Sequence, residues 1–101
     1  MTQPLALPGA DVVAQGLADL ELGIESAAAL LVSIGEPRLR VLGHAVASPF
    51  DDPEHRLYRL LMRSDPDAAH AQYNALVRRL VSYERALAAC GRGSVSRPCA
   101  T

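Results

Sequence analysis

A chain of 101 residues with a formal net charge of −1 has room for one domain, and its balance argues against a general polyanion binder. Half of it is hydrophobic but only 4% is aromatic, so the interior must be built from Leu, Ala and Val, which favours helices packed closely through small side chains. A chain of this size buries roughly two-thirds of its unfolded surface, so its stability is marginal and self-association would add to it.

Residues 1–9 read as an extended leader, because Pro4, Pro8 and Gly9 prevent a regular start. The leader has no basic segment of the kind that opens a secretory signal. A first helix is expected from Ala10 or Asp11 to Leu22, with Val13, Leu17 and Leu20 on one face and Asp11 as its cap. Gly16 in its interior costs about 1 kcal/mol relative to Ala unless a neighbouring helix comes close there. Gly23 ends it. Ser26 caps a second helix, AAALLVSI, which is apolar nearly all round and therefore belongs at the centre of the molecule. Gly35 closes that element, and Glu36-Pro37 opens a short third helix with Leu39 and Leu42 inward and Arg38 and Arg40 in solvent.

His44 to Phe50 reads as a loop. Asp52-Pro53 is a cap followed by a first-turn proline, opening a fourth helix over 53–64 with Leu57, Leu60, Leu61 and Met62 inward and a basic stripe of His55, Arg56, Arg59 and Arg63. Asp65-Pro66 repeats that device ahead of a long helix over 66–90. There Ala69, Tyr73, Leu76, Leu80, Tyr83 and Leu87 recur at three and four residues, and Val77 and Val81 widen the face. Gly91 is its expected stop, and 92–101 is expected to be a disordered tail. The reading is an all-α single domain over 10–91, a bundle of about five helices ending in one long helix, with the apolar second helix sheathed by the first, fourth and fifth.

Chemistry-bearing residues are sparse. His44, His55 and His70 match no metal-ligand spacing, so no metal or other cofactor is expected. Cys90 and Cys99 flank the end of the last helix and are expected to be free thiols. No nucleophile and base are paired and no Gly-rich phosphate loop is present, so catalysis is not expected. The spacing of Arg38 and His44 is similar to that of the Arg–His pair of HEPN-type ribonucleases, where both sit on a long helix of a four-helix bundle and act on the RNA backbone. The segment here is bounded by Pro37 and Gly43 and lacks the polar residue that accompanies the family's Arg. The chain is not identified with that family.

Charge is uneven. Residues 1–52 hold seven acids against Arg38 and Arg40, and residues 53–101 hold eight Arg against four acids, which suggests an acidic first helix lying beside basic later ones. All ten basic residues are Arg, pointing to a GC-rich bacterial genome. No apolar run is long enough to span a bilayer, and a cytoplasmic location is expected. The long apolar face exceeds what a core of this size covers, so the expected function is a non-catalytic helical interaction module, an adaptor or assembly subunit. Its partner is itself, as a homodimer, or another protein, through Tyr73, Leu76, Leu80, Tyr83 and Leu87. The alternative is a nucleic-acid-binding regulator using Arg56, Arg59, Arg63, Arg78, Arg79 and Arg85.

Overall fold

A computed structural model describes residues 7–93, with side chains through Ala89. Among the described residues the fold is all-helical, with five helices: α1 (Ala10–Glu21), α2 (Ala27–Ile34), α3 (Glu36–Val41), α4 (Pro53–Ser64) and α5 (Ala69–Gly93). α2 lies at the centre and packs against α1, α3, α4 and α5. Its position follows from its composition: Ala29, Leu30, Leu31 and Val32 are completely buried, and an element apolar on every side has no face to give to water. Val13, Leu20, Leu39, Val46, Leu57, Leu61, Ala69, Leu80 and Tyr83 complete the core around it.

Pro8 and Gly9 form a type II turn, with the Ala10 amide donating to the Leu7 carbonyl at 3.1 Å and Gly9 at φ 79° and ψ 0°. A side chain at Gly9 would also strike the Arg79 carbonyl oxygen of α5, 2.5 Å from where its Cβ would be. The turn therefore seats the start of α1 against α5. Asp11 lies inside the first turn rather than at the cap, and its carboxylate instead accepts from Arg79 Nη2 at 2.8 Å. Along α1, the position of Gly16 is explained by α2: a Cβ there would stand 2.3 Å from the Ala28 carbonyl oxygen and 2.5 Å from Val32 Cγ2. The two helix backbones meet at that point.

Only one of the expected side-chain caps forms. Ser26 is extended, at φ −120° and ψ 170°, and its Oγ accepts from the Ala29 amide at 3.1 Å. Ser26 Oγ in turn donates to Asp19 Oδ2 at 2.6 Å, and Gln15 Nε2 donates to Asp19 Oδ1 at 2.9 Å, so the buried Asp19 ties α1 to the head of α2. Asp52 occupies the capping position of α4 but is left-handed, at φ 50°, and makes no cap bond; its carboxylate lies 3.3 Å from His55 Nδ1. Asp65 is the C-cap of α4. Its carbonyl accepts from the Ala68 amide in a turn over 66–68, and α5 begins only at Ala69. At its far end α5 runs through Gly91 to Gly93, so Gly91 does not stop it. Of the leader expected over 1–9, residues 1–6 lie outside the described residues; of the tail expected over 92–101, residues 92–93 belong to α5 and residues 94–101 lie outside the described residues.

α5 is the dominant element in length. Its 25 residues make a rod of about 37 Å, against overall dimensions of 46 × 26 × 26 Å. No helix among the described residues is long and apolar enough to cross a membrane.

Candidate functional site

The apolar row of α5 divides into two parts. Leu80 and Tyr83 are only 3% and 7% exposed and belong to the chain's own core. Tyr73, Leu76 and Leu87 are half-buried and pack against that core from its edge, as does Val77, while Val81 is 37% exposed. Tyr73 is held by α4, whose Tyr58 ring meets it edge-on at 5.8 Å. Its hydroxyl pKa is raised by burial and by the nearby carboxylate of Glu54.

The other side of Tyr83 carries the main polar cluster of α5. The Tyr83 hydroxyl and His44 Nε2 are hydrogen-bonded at 2.6 Å, which fastens the loop after α3 to α5 across 39 residues of sequence. Burial raises the Tyr83 hydroxyl pKa. One residue on, the Glu84 carboxylate lies against Gly35, where α2 gives way to α3. Burial raises its pKa, and Arg38 opposes the shift. Arg38 and His44 thus do not share a long helix: Arg38 is on the six-residue α3 facing Glu84, and His44 is beyond its end, bonded to Tyr83. The arrangement that the HEPN-like spacing implies is absent. Sequence reading had no signal for the His44–Tyr83 contact, since the two lie far apart in the chain and His44 stands in a loop with no periodic face.

The arginines likewise fall into separate groups. Arg79 pairs with Asp11, whose carboxyl pKa is lowered chiefly by that hydrogen bond. Arg40 pairs with Glu36 and also donates from Nη2 to the Val46 carbonyl at 2.9 Å. Arg78 and Arg85, seven residues apart, are exposed on α5 and point directly away from the core at about 100° per residue. Arg56, Arg59 and Arg63 lie together on α4, on the flank away from Tyr58 and hence from α5, and with Glu25 they line an open depression. Arg56 is anchored there: its guanidinium sits 5.5 Å from the centre of the Phe50 ring and 4.0 Å from Glu25 Oε2. The six arginines grouped from the sequence therefore form three surfaces rather than one. Arg79–Asp11 joins the first helix to α5, but Glu25, which meets Arg56, lies in the loop after α1, and α1 packs mainly on α2 rather than beside the basic helices.

His55 and His70 are exposed, beside Asp52 and Asn74. Among the described residues no group of His, Cys, Asp or Glu is placed to hold a metal ion. The side chains of Cys90 and Cys99 lie outside the described residues. Comparison of the chain with protein-family models, curated proteins and solved structures finds no match.

Proposed function

We propose that the protein is a non-catalytic helical interaction module that self-associates as a homodimer through α5. The observation that supports this reading is the continuation of the apolar row past Tyr83, the last buried residue among those described. Beyond Tyr83 the row goes on to Leu87, which is only partly covered. A row at three- and four-residue steps along a long helix is the pattern by which a helix pairs with its own copy across a two-fold axis. Leu80 and Tyr83 hold the helix onto the body, and Leu87, beyond them on the same side of α5, meets the partner.

A dimer that binds its own copy only when folded has a melting temperature that rises with protein concentration. Thermal unfolding of the native chain should show that rise, and Leu87→Arg, placed at a partly buried site at the edge of the core, should remove it while leaving the helical circular dichroism intact. A native melting temperature independent of concentration would end the proposal.

A further inference from the structure

We propose that the Arg56–Arg59–Arg63 face of α4 binds a chain of phosphate groups. Positions separated by three and four residues stand on one side of a helix, and from Arg56 to Arg63 they span roughly 10 Å at 1.5 Å per residue. Three guanidinium groups over that distance, lining a single depression with only Glu25 as an opposing charge, leave positive charge that a single carboxylate does not neutralise. Among the described residues neither Arg59 nor Arg63 forms an ion pair, and Arg56 meets Glu25 only at 4.0 Å. The Phe50 ring under Arg56 holds one of the three forks in place before any ligand arrives. Guanidinium forks match phosphate oxygens two at a time, and several linked phosphates supply the charge density that the site lacks. With a net charge of −1, attraction for such a ligand is local to this face and not a property of the whole surface. Glu25 is the built-in competitor for it. The proposal is independent of self-association, because the face lies on the flank of α4 turned away from α5.

Free polyphosphate and a nucleic-acid backbone share this chemistry, and titration calorimetry at low ionic strength separates them. Sodium tripolyphosphate, inorganic phosphate and a single-stranded oligonucleotide are the three probes. Tripolyphosphate should bind the native chain, Arg59→Gln with Arg63→Gln should weaken it by about tenfold or more, and Glu25→Gln should tighten it. Arg78→Gln with Arg85→Gln removes the same charge from the outer face of α5 and should leave binding unchanged. An oligonucleotide that binds tighter than tripolyphosphate supports the site with nucleic acid as the source; a weaker one supports it with free polyphosphate. The proposal is overturned if no probe binds, if inorganic phosphate binds as well as tripolyphosphate, or if the two double variants weaken binding equally.

Discussion

At the scale of single residues, two carboxylates carry the most testable consequences. Asp19 is buried and accepts from both Gln15 and Ser26. Asp19→Ala removes the acceptor and leaves the Ser26 hydroxyl to cap α2 without its own partner, so we expect a loss of about 1–3 kcal/mol, read as a lower melting temperature at about 4–8 °C per kcal/mol. A melting temperature no lower than that of the exposed variant Glu21→Ala would contradict this role. Glu84 behaves in the opposite sense from most acids. Burial raises its pKa, so the folded chain holds the proton more tightly than the unfolded chain. Its contribution to stability is complete below the ordinary glutamate range and is lost as pH rises through the raised value. Above that window Glu84→Gln should melt higher than the native chain by a small amount, since the group is only partly buried; well below it the two should melt together. Equal differences at both pH values would refute the assignment. Asp11 has the usual sign: its pKa is lowered by Arg79, so what it adds is present at neutral pH and lost on acidification. Neither the buried network of Asp19 nor the place of Glu84 against Gly35 was legible in the sequence, because both depend on which helices meet.

At the scale of elements, the helices themselves were legible and their ends were less so. The composition of α2 and the cap at Ser26 were both readable, since an all-apolar octamer belongs inside and a serine before it takes the extended conformation that capping needs. Asp11, Asp52 and Asp65 are equally suitable letters, yet none caps. Asp11 is already helical, Asp52 is left-handed, and a turn separates Asp65 from α5. Asp-Pro suits a turn as well as a helix start, and the residues alone do not choose between them. Gly16 was readable in conditional form, as a cost unless a helix approaches, and α2 is that helix. Its test inverts the usual rule. Gly→Ala inside a helix normally stabilises by about 1 kcal/mol, whereas Gly16→Ala should destabilise by about 1–3 kcal/mol or more because the new methyl meets the Ala28 carbonyl. A variant as stable as the native chain in urea unfolding would show that the α1–α2 crossing is looser than described here. The basic stripe of α4 was also visible as spacing, but separating it from the arginines of α5 required knowing that Tyr58, and not Arg56, faces Tyr73.

At the scale of the whole molecule, the division of α5 into a buried stretch and a half-covered one is what connects fold to proposed function. The body is small, its core is centred on α2, and α5 has one side committed to that core at Leu80 and Tyr83. Pairing of two copies through the end of the row at Leu87 would cover the remainder and add stability that a core of this size supplies only sparingly. Leu80→Asp is therefore a test of folding and not of the interface: it should abolish the cooperative melt, because a charge would enter a site that is 3% exposed. Leu87→Arg is the variant that separates the two. The most direct measurement is molar mass by light scattering on a gel-filtration column across a range of loading concentrations. The proposal predicts a mass near twice the 10.7 kDa of the chain for the native protein and near the chain mass for Leu87→Arg, with the same helical content in both. A native protein that stays at the mass of one chain at every concentration would contradict self-association through α5.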